Sequence, residues 1–356
     1  MAGRSSTMIG SDQPLASRYD VALLDLDGVV YVAEDPVRGA AEALAAARKA
    51  GMRLAFVTNN ASRTPDQVAA LLRRVGVPAE PGEVITSAQA AAHYLADRLP
   101  AGARVLVLGT TGLIDAVTER GLTPVFSAGD QPVAVVQGFF PDLSWKVLAE
   151  GAIAIRDGAL WLATNLDATV PSPRGPLPGN GSMVAALSHA TGIVPAATGK
   201  PDPAMHAESV QRSRAEHPIV VGDRLDTDIE GARRADCASL LVLTGVTDAH
   251  QMLRAEPLHR PDYLGKDVSA LLDRHPDVLV ESGRTRCGAA AVQLEQDTLV
   301  LSLALDGPAG SSDGLDPLRA LVTAGWQLVD RQRRPAGVRA ADPAAATALA
   351  GLGLEP

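Results

Sequence analysis

The chain has 356 residues, of which 46% are hydrophobic and 21% charged, with a formal net charge of −9. That length supports about two or three domains with their own cores, and no apolar run reaches transmembrane length. A pI of 5.3 argues against a nucleic-acid binder, which needs a basic face, and the isolated Cys237 and Cys287 build neither a disulfide framework nor a zinc site, as expected of a cytoplasmic protein.

Residues 1–18 are polar and lack an apolar h-region, so they read as a disordered leader rather than a secretory signal. Val21-Ala22-Leu23-Leu24 then reads as a buried parallel strand that ends in Asp25-Leu26-Asp27-Gly28. An alanine-rich stretch over 38–50 predicts a helix stopped by Gly51. Leu54-Ala55-Phe56-Val57 predicts a second strand, which delivers Thr58-Asn59-Asn60 at its end. The next helix carries a full start signal: Thr64 as N-cap, Pro65 at the first helical position and Gln67 to complete a capping box. Val68, Leu71, Leu72 and Val75 follow at helical spacing, and Gly76 ends the run.

From residue 87 the α/β alternation restarts. Helices over 87–99, up to Gly121 and over 145–156 alternate with strands over 105–108, 133–136 and 160–163. This reads as an α/β unit spanning 87–178, inserted into the first and closed by a Pro/Gly-rich loop over 171–181. The first unit then resumes with a helix over 182–191 and the loop Thr198-Gly199-Lys200-Pro201. A helix N-capped by Asp202 follows, then strands over 219–221, ending in Gly222-Asp223, and 240–243. Residues 19–86 and 179–274 are thus expected to form one α/β core on a parallel sheet. Past 275 the texture changes to a hairpin over 289–305, a helix over 315–329 with Trp326 on its apolar side, and a short helix over 343–349 behind Asp342. Residues 275–356 therefore read as a small C-terminal α+β domain.

Four loops carry the polar groups that phosphoryl chemistry needs: Asp25 and Asp27, the Thr58 hydroxyl, the Lys200 ammonium, and the acids of Gly222-Asp223-Arg224-Leu225-Asp226-Thr227-Asp228. A phosphate monoester dianion repels an anionic nucleophile unless a cation screens it. Mg²⁺ suits the task because it prefers oxygen ligands and binds through one or two carboxylates plus a phosphate oxygen. Asp25, the main-chain carbonyl of Asp27, and Asp223 can supply such a set, while Lys200 and Thr58 hold the remaining phosphate oxygens. Asp226 reads as a helix N-cap. Gly109-Thr110-Thr111-Gly112 reads as a plain turn rather than a nucleotide loop, and Arg174 and Asn180 as solvated loop residues.

These four motifs, in this order, resemble the haloacid dehalogenase-like hydrolase superfamily over residues 19–272. The resemblance implies a Rossmann-like core, Asp25 as the nucleophile that forms an aspartyl-phosphate, and Asp27 as the acid and base. It also implies substrate contacts from Thr58, Asn59, Asn60 and Lys200, metal binding by Asp25, Asp27 and Asp223, and an outer-shell role for Asp228. An insert between the second and third motifs resembles the NagD-like phosphatases with an α/β cap, as do Thr58-Asn59-Asn60-Ala61-Ser62-Arg63 and Ala163-Thr164-Asn165-Leu166-Asp167. The cap segment Gln137-Gly138-Phe139-Phe140 departs from that group, which often carries an acid there. The whole layout is similar to the actinobacterial glycerol-3-phosphate phosphatases. Relatives of similar build act on phosphoglycolate, pyridoxal phosphate, nucleoside monophosphates or p-nitrophenyl phosphate.

The tail resembles part of an N-acetyltransferase fold of the GNAT kind, without the glycine loop that grips a pyrophosphate. The expectation is therefore a Mg²⁺-dependent phosphatase of a small phosphorylated metabolite, with glycerol 3-phosphate as the first candidate, no nucleic-acid partner and no membrane insertion. Homo-oligomerisation through the cap or the tail stays open. The alternatives are a metabolite-binding regulatory protein and a phosphomutase.

Overall fold

The computed structural model describes residues 7–33, 35–170, 172, 174–303, 313–331, 335 and 337–354. The α/β chain divides into two compact units. One comprises the residues up to Val32, Val37–Leu54 and those from Glu216 onward; the other comprises Ala33–Pro36 and Ala55–Ala215.

In the first unit, four parallel strands lie in the order Tyr263–Gly265, Ala238–Val242, Pro218–Gly222, Val21–Leu24. Val21–Leu24 is buried at every position, as a strand covered on both faces should be. Its register sets Leu24 opposite Val221, and the Asp25 N–H donates to the Val221 carbonyl at 2.8 Å. Asp25 and Gly222-Asp223 thus leave adjacent strands at the same sheet edge, where ligand crevices open in folds of this type.

A second sheet in this unit joins Leu279–Glu281, Arg284–Cys287, Ala290–Glu295, Thr298–Leu303 and Gly337–Ala340; only its last pair is parallel. The hairpin turns at Gln296-Asp297, with Gln296 in the left-handed region, and Ala304 and Leu305 lie outside the described residues. Helix Asp316–Asp330 packs its apolar side here and buries Trp326. The resulting core is continuous with that of the parallel sheet: Ile229, Met252 and Leu264 cluster with Val292, Leu321 and Trp326. Polar links cross the same seam. The Trp326 indole donates to the Met252 carbonyl, and an Arg319 Nη2 donates to the Leu264 carbonyl, each at 2.7 Å.

Residues 7–18 correct the expectation of a disordered leader. Leu15–Arg18 is helical, Met8 and Leu15 are buried, and Ser11 exchanges two main-chain hydrogen bonds with His275 at 2.8 and 3.0 Å. Their apolar residues are too sparse to show a period, yet Met8, Leu15 and Ala16 fill places in the core while Ile9 stays exposed. The first six residues lie outside the described ones.

The second unit holds a parallel sheet in the order Ala196–Ala197, Leu160–Ala163, Ala134–Gln137, Arg104–Leu108, Thr123–Val125. Strand alternation sorts its core: Val105 and Val107 join Ala91 and Leu113 on one face, while Leu106 and Leu108 join Ile155 and Val184 on the other. The compact boundaries fall at 55 and 215 rather than at 87 and 178. One reason is that Ala196–Ala197 pairs with Leu160–Ala163. Another is that Glu208, on helix Pro203–Ser213, bonds to His93 and accepts from Arg120 at 3.1 Å. The stretch expected as a loop over 171–181 is closed by a short antiparallel pair, Thr169–Val170 with Leu177–Pro178, while Pro171 and Pro173 lie outside the described residues. The helix signalled by Thr64 forms as read, with both capping-box bonds made.

Two predictions follow from the seam. Arg319 is buried between Asp313, Asp316 and the Leu264 carbonyl. Arg319→Ala leaves the buried Asp316 and the half-buried Asp313 without their cation and should cost about 3–5 kcal/mol in urea unfolding. Burial holds the His275 imidazole below its ordinary pKa of 6.5, against an opposing bond from the ring to the Ala270 carbonyl at 3.0 Å. The unfolded chain therefore takes this proton first as pH falls. The contribution of His275 is full above about pH 6.5 and is lost as pH drops below it, and unfolding measured for His275→Asn should lack that part of the slope.

Candidate active site

The first unit gathers the acids. Asp25, Asp223 and Asp228 each bring a carboxylate oxygen within 4.8 Å of the others, with Asp25 partly exposed and the other two buried. Asp27, on the turn after Asp25, is exposed and bridges to Tyr31. Gly28 takes φ +81°, and its N–H donates to the Tyr31 carbonyl at 2.7 Å. A side chain there would be strained, and its Cβ would lie 2.5 Å from the Asp223 carboxyl group.

Asp223 is held from the other side by the loop after Ala238–Val242. Its Oδ2 accepts the Val246 N–H at 2.7 Å, its carbonyl accepts the Thr247 N–H at 3.2 Å, and Gly245 backs directly onto its carboxylate. Asp228 sits in a single π-type turn, Leu225–Ile229, and accepts the Arg224 N–H at 3.2 Å; Gly222 leaves room for its side chain. Asp226 is not the expected N-cap. It is exposed and pairs with the Arg224 guanidinium at 2.8 and 3.0 Å, because the turn already begins at Leu225 and places Asp226 inside it.

Three carboxylates packed this closely, two of them buried, repel one another unless a cation or shared protons relieve them. Their donors are all oxygen, which selects a hard divalent ion, and Mg²⁺ fits because it is held by few carboxylates and keeps the rest of its shell for water and phosphate. The carbonyl of Asp27 is a fourth oxygen in the same short turn.

The second unit assembles the other polar groups. Thr58 is buried at a strand end, and its Oγ1 accepts the Asn60 N–H at 3.1 Å. Lys200 is buried, and its Nζ donates to the Val57 carbonyl at 3.3 Å. Asn59 clamps the Lys200 backbone both ways: its Oδ1 accepts the Lys200 N–H at 2.8 Å and its Nδ2 donates to the Lys200 carbonyl at 3.1 Å. Asn60 Oδ1 accepts from the N–H and hydroxyl of Ser62 at 2.8 and 2.7 Å. The Asn59 and Asn60 side chains thus bond to the protein, which makes them positioning groups for Lys200 and the Thr58 loop. Asn180, expected as a solvated residue, is buried and donates to the Asn165 carbonyl at 2.8 Å, whereas Arg174 is exposed. Thr110, in the expected plain turn, donates to the Ser62 carbonyl at 2.8 Å, and a Gly112 Cβ would meet Arg63 backbone at 2.7 Å. That turn is a packing contact. A cavity of about 490 Å³ lined by Ser62, Arg63, Arg74 and Thr110 contains none of the acids and is therefore not the chemical centre.

Residues 22–123 match the model of the haloacid dehalogenase-like hydrolases, and 197–271 match a second, HAD-hydrolase-like model. A D-glycerol 3-phosphate phosphatase of Mycobacterium tuberculosis is 46% identical over 343 residues, covering 94% of each chain. The chain belongs to the haloacid dehalogenase-like hydrolases. An acid sugar phosphatase of Staphylococcus aureus is 36% identical over 71% of this chain and 96% of its own. Among solved structures, the glycerol phosphate phosphatase of M. tuberculosis in complex with magnesium is similar, with a TM-score of 0.86 and 44% identity over 96% of this chain and 99% of that one. A thermostable NPPase of Geobacillus stearothermophilus gives 0.65 and 33% over 70% and 97%. Residues 287–354 of this hydrolase match a GCN5-related N-acetyltransferase like domain. Among the described residues, no helix is long and apolar enough to cross a membrane.

Two further contributors had no role expected for them: the loop over 244–248, which grips Asp223, and Asp167, noted only as part of a family-like stretch, which accepts from Asn59 at 3.2 Å. A Thr-Gly pair directly after a parallel strand was the available signal, since such strand ends border the crevice. If the acids hold one ion, Asp223→Asn should weaken Mn²⁺ binding by at least about tenfold, measured by electron paramagnetic resonance without substrate, because even outer-shell partners contribute on that scale.

Proposed function

We propose that this hydrolase is a Mg²⁺-dependent phosphatase of a small phosphate monoester, with glycerol 3-phosphate as its substrate. The observation that carries the chemistry is the convergence of Asp25, Asp223 and Asp228 at one strand edge. The substrate rests on the relative named for glycerol 3-phosphate, whose likeness runs through the tail, whereas the acid sugar phosphatase and the NPPase cover about 70% of this chain.

In this reading Asp25, Asp223 and the carbonyl of Asp27 hold Mg²⁺, and Asp228 orients its water. When bound, the ion screens the phosphate charge from the attacking carboxylate. An Asp25 oxygen bonds to phosphorus as the bond to the glycerol oxygen breaks, and Asp27 gives that oxygen its proton. Exposure of Asp27 on the turn suits a group that must exchange protons. Asp27 then takes a proton from a water that attacks phosphorus, which releases phosphate and regenerates Asp25. Thr58 and Lys200 donate to the phosphate oxygens, with Lys200 fixed in place by Asn59. Residues 87–178 serve as the cap that excludes water during the reaction.

The test is kcat/KM over glycerol 3-phosphate, phosphoglycolate, pyridoxal phosphate, nucleoside monophosphates and p-nitrophenyl phosphate. Glycerol 3-phosphate should lead, and a clear preference for another ester would replace it. Asp25→Asn should lower kcat by about 10³-fold or more, and Asp27→Asn by about 10²–10⁴-fold. Removal of Mg²⁺ by chelation should abolish turnover and its return restore it. Turnover without metal would end the reading.

A further inference from the structure

The loop that holds Asp223 runs straight into helix Ala249–Leu253, N-capped by Asp248 with Gln251 completing a capping box. A five-residue helix has no stability of its own, since isolated helices below about 12–15 residues are marginal in water. Its position is therefore set by what it packs against. Ala249, Met252 and Leu253 turn inward and cluster with Leu321, Val322 and Trp326 of the tail's long helix. The contact is polar as well as apolar. The Trp326 indole N–H donates to the Met252 carbonyl at 2.7 Å, and a Cβ at Gly325 would lie 2.7 Å from the Leu253 carbonyl, so the two helices meet backbone to backbone.

Trp326 is itself pinned. Its carbonyl accepts from Arg260 at 3.3 Å, and that guanidinium lies 5.5 Å from the ring centroid while paired with Asp330 at 2.8 Å. Ile229, at the end of the turn that carries Asp228, belongs to the same apolar cluster. A continuous path thus runs from the tail through helix Ala249–Leu253 and the Val246 N–H to the Asp223 carboxylate.

We propose that Trp326, in the C-terminal segment, is a positioning residue for the metal-binding carboxylate of Asp223, acting through helix Ala249–Leu253 and the loop before it. The tail is then a working part of the metal centre, not an appendage. This rests on the metal reading of the acid cluster, and the experiment separates the two.

Mn²⁺ is the probe, titrated into the full chain without substrate and followed by electron paramagnetic resonance, with thermal unfolding run alongside. Trp326→Phe keeps a smaller aromatic ring and loses the bond to Met252. Gly325→Ala pushes the long helix off Leu253. Leu349→Ala removes a buried side chain from the last helix of the same cluster and leaves the Trp326 and Gly325 contacts in place. Trp326→Phe and Gly325→Ala should each raise the Mn²⁺ dissociation constant about three- to tenfold, at or below the low end of outer-shell effects because they act through a helix and a loop. Leu349→Ala should leave that constant unchanged while lowering the melting temperature. An unchanged constant in both helix-contact variants, or an equal rise in Leu349→Ala, would overturn the positioning role while leaving the metal centre intact. Absence of Mn²⁺ binding by the unaltered protein would fell the metal reading itself.

Discussion

Mutual repulsion among Asp25, Asp223 and Asp228 is the constraint around which the first unit is built. Like charges at this spacing need a cation or shared protons between them. The fold meets the requirement with rigidity. Two parallel strands deliver two of the acids at one edge, glycines let backbone close in on the carboxylates, and main-chain N–H groups fix their orientation. A floppier arrangement would relax by moving the acids apart and would then bind a cation weakly.

The second unit solves a complementary problem. A buried ammonium needs partners, and Lys200 finds a carbonyl at Val57 while Asn59 locks its main chain. Asn59 in turn has its own carbonyl bonded by Ser87 and Asn165, and its amide reaches Asp167. Positive charge is thus delivered at a defined point by a network that draws on four separate stretches of chain. Precise placement of this kind is what electrostatic catalysis requires, because dipoles that must reorganise during the reaction stabilise little.

Much of this was legible in the sequence where local signals and chemistry coincided. Apolar runs that end in Asp, Thr-Asn or Gly-Asp announce strands and the groups they deliver, and the Thr64 capping box announces a helix start. What stayed hidden is what depends on distant pairing. Nothing local says that Asn59 clamps residue 200, or that Val246 reaches back to Asp223. The π turn at Leu225–Ile229 was hidden for a similar reason: its acids read as an ordinary helix start, and only the packing of Asp228 against Gly222 shows otherwise. The order of the leader was hidden because two or three apolar side chains filling gaps leave no periodic trace.

The parallel sheet and the tail share one core. A module that folds alone can be gained, lost or exchanged between genes with little penalty. Here Met252, Leu253 and Leu264 would face water if the last eighty or so residues were deleted, because their covering comes from Trp326, Leu321 and their neighbours. Truncation before residue 275 would therefore leave an apolar face on the parallel-sheet core open to aggregation.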